Sequence, residues 1–195
     1  LAFDAEAVAK ALSDACPDGD GRAYLEKIVQ VAYPLPALFP WQLREFLQDR
    51  LAETSTRLGI RLRSFESSLW PDAVKLAART LRHPRDAIRL VNRLTIAFPA
   101  TDGNVNLADV LVMEAIAQRW PALHQAVRLR PQDFTGFRYD DAVERGASRW
   151  NNYVIPSLSQ DKNRWEKHLP AGDGERSLAE QACRFLFPFL TDLHP

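Results

Sequence analysis

Cysteine, histidine and excess charge are all scarce in this chain, and each scarcity removes a class of function. Only two cysteines occur, Cys16 and Cys183. They are too few for a disulfide framework and have no metal-ligand spacing. A reducing cytosol is the compartment they suit. The four histidines, His83, His124, His168 and His194, are scattered, and none pairs at i, i+4 with another ligand. No metal site is expected. Twenty-five basic and 25 acidic residues cancel to zero net charge. That argues against a dedicated nucleic-acid-binding domain, which is usually basic overall or strongly patched. The longest apolar run, Phe185 to Leu190, is far short of the ~20 residues that span a bilayer. The start has no charged n-region and no long h-region, so no signal peptide is expected. It also lacks an initiator Met, which points to a piece of a longer protein.

Several catalytic signatures are missing too. No Gly-x-x-x-x-Gly-Lys-Ser/Thr occurs, so there is no loop to cradle phosphates. No apolar strand runs into Asp-Asp or Asp-Glu to hold magnesium. Asp140-Asp141 reads instead as helix-start carboxylates, favourable to the helix dipole. Ser157 and Ser159 lack a Gly-x-Ser-x-Gly elbow. Pro17-Asp18-Gly19-Asp20-Gly21 is a plain loop; its spacing is wrong for an EF-hand. The chain alone is not expected to be catalytic.

What is present is mostly helical punctuation. Asp4 is a good N-cap, followed by a helix over 5–15. Tyr24 to Ile28 begins as a short helical turn. Lys27 to Tyr33 is β-prone and reads as a strand, stopped by Pro34 and Pro36. Pro40 opens a helix with Leu43, Phe46, Leu47 and Leu51 on one face, and Gly59 can end it. Residues 60–68 are ambiguous. Pro71 opens the next helix, and Pro84 another, which stops before Pro99. Asn106 caps an apolar helix, and Pro121 starts one that ends before Pro131. Asp133 to Phe137 reads as a turn, and Tyr139 to Tyr153 as helix with Trp150 packed. A polar stretch over 157–163 precedes a short helix at Arg164–His168. Ala171 to Gly174 is a break, and Glu175 to Phe187 the last amphipathic helix. Cys183 falls on its apolar side. The five tryptophans are spread evenly, which favours packing over a stacking platform for bases.

The most informative stretch is Arg82-His83-Pro84-Arg85-Asp86-Ala87-Ile88-Arg89-Leu90-Val91-Asn92-Arg93-Leu94. Ala87, Ile88, Leu90, Val91 and Leu94 share one face at helical spacing. Arg85, Arg89 and Arg93 fall four apart on the other. Arg85 is in the first turn, where the dipole disfavours a cation by ~0.3–1 kcal/mol. A cation there invites an anionic partner, from a neighbouring element or a phosphate.

Pro-Arg-Asp-Ala-Ile-Arg-Leu-Val-Asn-Arg resembles a segment of KAP-family P-loop NTPases. So do Tyr24-Leu25-Glu26-Lys27-Ile28-Val29-Gln30-Val31-Ala32-Tyr33-Pro34-Leu35-Pro36, Leu1-Ala2-Phe3-Asp4 and Asn106-Leu107-Ala108-Asp109-Val110-Leu111. The matches keep family order across about residues 1–130, with a weaker echo at Cys183 to Pro188. The resemblance implies a mainly α fold: a helical lid-type bundle with an N-terminal remnant of a parallel α/β P-loop NTPase sheet. Residues 1–39 would be the end of the core, 40–131 a helical lid and 132–195 a helical tail. It implies ATP and Mg2+ in the intact protein, with neither held tightly by this part. Arg85 becomes the candidate sensor-2 arginine, with Arg89 second, and Asp4 the sensor-1 position. Arg82 and Arg93 are left as surface or ion-pair residues. The implied partner is the missing N-terminal core, with a possible homo-oligomer and no nucleic acid. A cytoplasmic location is implied, with membrane association only through parts outside this chain. Some bacterial members are linked to phage defence. The alternative is a non-enzymatic helical interaction module whose arginine face meets an acidic partner.

Overall fold

The chain divides into two units, Leu1–Ala37 and Leu38–Pro195. The computed structural model describes residues 3–15, 19–31, 33, 38–101, 103–135 and 164–190. The expected helix with Trp150, the Asp140-Asp141 pair, Ser157, Ser159, Cys16 and His194 lie outside them.

In the first unit Asp4 caps helix α1, Ala5–Ser13. Its Oδ1 accepts the N–H groups of Glu6 and Ala7 at 3.0 and 3.1 Å. Asp20 caps α2, Gly21–Ile28, in the same way, taking Arg22 N–H and Ala23 N–H. The two helices pack on each other. Ser13 joins them: its hydroxyl donates to Ala9 O and accepts from Gly21 N–H. Gly21 is buried at the crossing. Much apolar surface stays in the open. Ile28 is 63%, Val31 84% and Tyr33 85% exposed.

The strand expected over Lys27 to Tyr33 is not seen among its described residues. Lys27 and Ile28 complete α2, and Val29 turns into extended backbone as its C-cap. Among the described residues there is no strand for it to pair with. A single β-prone run has no ladder to join, and local hydrogen bonding extends the helix instead.

The second unit is helical throughout its described residues. Helix α3, Pro40–Leu58, buries Leu43, Leu47 and Leu51 and ends at Gly59, which takes the left-handed φ of 66°. Helix α4 is Ser64–Thr80, α5 Pro84–Ala100, α6 Leu107–Arg119, α7 Pro121–Leu129 and α8 the short Gln132–Thr135. Asn106 accepts from Ala108 N–H as the cap of α6. A 3-10 turn at Glu166–His168 precedes α9, Asp173–Leu186. Leu47, Val74, Leu90, Leu94, Leu111 and Ile116 belong to one core, and α9 packs on α4 and α6.

Three expected boundaries move. Pro71 lies inside α4 rather than at its start. The helix is begun upstream by Glu66, whose Oε2 accepts Arg63 N–H at 2.7 Å. Proline there removes one N–H to the carbonyl four residues back, and its exposed position leaves room for the ring. Pro99 sits in the last turn of α5 for the same reason. Asp133 to Thr135 is helical rather than a plain turn.

Cys183 is fully buried on α9, as its sequence position implied. Burial, helped by the charge of Glu180, pushes its thiol up to about 12. In a Cys16→Ser background Cys183 should react with a disulfide reagent at pH 8 at least about 100-fold more slowly in native buffer than in denaturant, because the thiolate is the nucleophile. Equal rates would mean that α9 leaves the core freely.

Candidate functional site

The site is the outer face of α5, and the way the helix begins sets its geometry. His83 makes no side-chain cap. Asp86 does the work from within the first turn: its Oδ2 accepts Arg82 N–H at 2.9 Å and His83 N–H at 3.1 Å. Pro84 fits the first helical position, where a missing N–H costs nothing. Ala87, Leu90, Val91, Leu94 and Phe98 are buried, against α3 and α6. From α6, Gln118 Nε2 donates to the carbonyl of Asp86 at 2.9 Å, while Gln118 Oε1 is buried with no partner.

At 100° per residue, Ile88, Asn92, Arg85, Ile96 and Arg89 fall within one arc on the opposite side. All five are exposed. Ile88 was expected among the core residues; it is 45% exposed, and Ile96 75%. Ile88 falls outside the arc of α5 that packs on α3 and α6.

The arginines separate into two kinds. Arg93 Nε donates to Glu114 at 2.6 Å. Arg82 Nη2 reaches Glu175 at 3.4 Å. Both are ion-pair residues, as the sequence suggested. Arg85 and Arg89 have no hydrogen-bond or ion-pair partner among the described residues. They stand one turn apart as two open guanidinium groups, each able to form paired hydrogen bonds to an oxyanion. Asp4 belongs to the first unit, where its carboxylate is engaged as the cap of α1.

Glu175, in the first turn of α9, is the centre of a polar cluster that reaches Arg82. Arg119 grips both of its oxygens, with Nε to Oε2 at 3.1 Å and Nη2 to Oε1. Trp120 Nε1 donates to Oε2 at 2.7 Å. Arg119, then Trp120, hold the Glu175 carboxyl down at about 2. Another carboxylate, the buried Glu66, ties the start of α4 to the start of α6. Its Oε1 accepts Arg63 Nη2 at 2.8 Å and Leu107 N–H at 3.0 Å. Sequence reading missed both hubs. Glu66 had a signal, a carboxylate three residues into a helix. Glu175 had none, since its partners lie 55 and more residues away.

Among the described residues no group of three or more His, Cys, Asp or Glu could hold a metal ion. No described helix is long and apolar enough to cross a membrane.

The model of the KAP family P-loop domain matches residues 1–99, just over half of the chain. The chain belongs to the KAP family of P-loop NTPases. No curated protein and no solved structure matches it.

Proposed function

We propose that this chain is the core end and helical lid of a bacterial KAP-family P-loop ATPase. In this reading it couples ATP binding and hydrolysis in the intact protein to a change of conformation or assembly. The observation that carries it is the division of the arginines on and just before α5: Arg82 and Arg93 are balanced by carboxylates, Arg85 and Arg89 have none among the described residues. Those two residues fall inside the stretch matched by the family model. They fit a phosphate group; among the described residues no group of three or more His, Cys, Asp or Glu stands ready to hold a metal ion. When ATP is bound, Arg85 as the sensor-2 residue, seconded by Arg89, would neutralise phosphate charge and tie lid position to nucleotide state. Asp4 would mark the sensor-1 end of the core.

The phosphate loop and the magnesium-holding strand are absent from the sequence, so they would come from an upstream core. Leu1–Phe3 and the residues after α2 would then be the last strands of its sheet, covering the exposed Ile28, Val31 and Tyr33. Residues 1–39, 40–131 and 132–195 would act as core end, lid and tail. The intact protein would work in the cytoplasm, in some settings at a membrane through other segments, and phage defence is one role open to it.

Arg85→Ala in the intact protein is expected to lower turnover about 100-fold, the scale of one lost charge-stabilising donor, with the fold retained because the side chain is exposed. Unchanged nucleotide affinity and turnover would remove the assignment. A second reading has its own observation. Ile88 and Ile96 lie exposed between the arginines, a pattern suited to a protein contact with an acidic, partly apolar partner. Under that reading Ile88→Ser would abolish partner binding and leave ATP turnover unchanged.

A further inference from the structure

Arg82 and Arg85 flank the same helix start, yet only Arg82 is held. Its holder is the weakest contact in the Glu175 cluster. Arg119 engages both carboxylate oxygens and Trp120 one, whereas Arg82 reaches Oε1 at 3.4 Å. Arg82 is 63% exposed, against 15% for Arg119. Losing Arg82 leaves Glu175 with its two better donors, so release is inexpensive; exposed ion pairs of this kind are weak. The backbone on which Arg82 stands is fixed, because Asp86 takes its N–H and Gln118 pins the Asp86 carbonyl. Only the side chain needs to move.

We propose that Arg82 is a switching arginine: Glu175 of α9 holds it until an oxyanion at Arg85 and Arg89 recruits it as a third ligand. The inference rests on the reading of Arg85 given above. It adds that α9 senses occupation of the arginine face, because Glu175 loses one of three cationic or N–H partners when the anion binds. Coupling of this kind is reciprocal. Whatever loosens Glu175 from Arg82 tightens the anion, and the anion loosens Arg82 from α9.

The test uses the 195-residue chain and inorganic triphosphate, with affinity from calorimetry and the Trp120 indole N–H followed by NMR. Arg85→Ala and Arg82→Ala should each weaken binding about 3- to 5-fold, the range of single exposed charge contacts. Glu175→Gln should strengthen it by a similar factor. In the Arg82→Ala background that gain should vanish, as a coupled pair requires. The Trp120 indole signal should shift with triphosphate in the parent and stay still in Arg82→Ala.

Arg82→Ala is the safeguard against misfolding, since its side chain is exposed and Glu175 keeps Arg119 and Trp120. Normal binding by Arg82→Ala, or a Trp120 signal that triphosphate does not move in the parent, overturns the switch and leaves Arg85 standing. Unchanged binding by Arg85→Ala overturns both. No binding up to about 10 mM, roughly 3 kcal/mol of affinity, overturns the switch and leaves the core-dependent ATPase reading intact.

Discussion

Glu66→Ala should destabilise the second unit by about 2–4 kcal/mol, seen as a lower midpoint in urea or thermal unfolding. The carboxylate is 1% exposed and takes three donors: Arg63 N–H, Arg63 Nη2 and Leu107 N–H. Hydrogen bonds to a charged acceptor contribute about 1.5–3 kcal/mol, and a stranded buried N–H adds its own desolvation cost. Leu107 N–H is such a group. Arg63 also donates to the carbonyls of Gly103 and Val105, so the α5–α6 connection loosens as its anchor is lost. Glu66→Gln keeps one acceptor oxygen and should fall between parent and alanine. A loss under about 0.5 kcal/mol, the level of ordinary surface changes, would mean that water replaces the carboxylate without penalty.

The same residue sets the response to acid. Arg63, then the backbone N–H groups, hold Glu66 down from 4.5 to about 2. A depressed folded-state value means that the stabilisation is complete above about pH 4.5 and fades as pH falls toward 2. Glu175 acts in the same direction over the same window. For Glu66 the difference corresponds to about 3 kcal/mol. Stability of the parent should therefore drop steeply between pH 4.5 and 2, and that of Glu66→Ala less so. Parallel acid profiles would place the acid-sensitive groups elsewhere.

Gly21→Ala should undo the α1–α2 pair. A Cβ at Gly21 would stand 1.9 Å from Ala9 O, 2.7 Å from Ser13 N and 2.9 Å from Ala9 C. All three are backbone atoms of a helix, so no side-chain rotation relieves the clash. Glycine is needed here for close approach of two backbones. Moving α2 away also separates Ser13 Oγ from Gly21 N–H. Amide exchange over residues 5–28 is the measurement: protection should fall to near that of an open chain in Gly21→Ala. Ser13→Ala, which only removes hydrogen bonds, should cost about 1 kcal/mol. Parent-like protection in the glycine variant would mean that the two helices pack less closely than described.

Most helices of the second unit were legible because their ends carry strong punctuation. Pro40, Pro84 and Pro121 sit at first positions, Asn106 at a cap and Gly59 at a left-handed stop. The same habit misled at Pro71 and Pro99, where proline falls within a helix fixed by other contacts. The Lys27–Tyr33 strand is not seen among the described residues, for a different reason. Its residues prefer a sheet, but a strand is a relation between segments, and no partner is present among the described residues. On α5 the charged face was legible from spacing alone. Which arginines were free was not: Arg82 finds its carboxylate 93 residues away and Arg93 finds one 21 away. Such pairings depend on how helices stack, and local pattern carries no trace of them.

The capping of α5 by Asp86 has a consequence for selectivity. The N–H groups of Arg82 and His83 already point at a carboxylate, so that stretch of main chain has no amide nest to offer an anion. Whatever meets this face meets guanidinium groups on a solvent-exposed surface. Such a surface weighs total negative charge and discriminates poorly among the outlines that carry it. Its grip should decline with ionic strength over a Debye length of about 8–10 Å. If the proposed nucleotide role holds, discrimination between one nucleoside base and another would have to be exercised elsewhere, with α5 responding to phosphate charge.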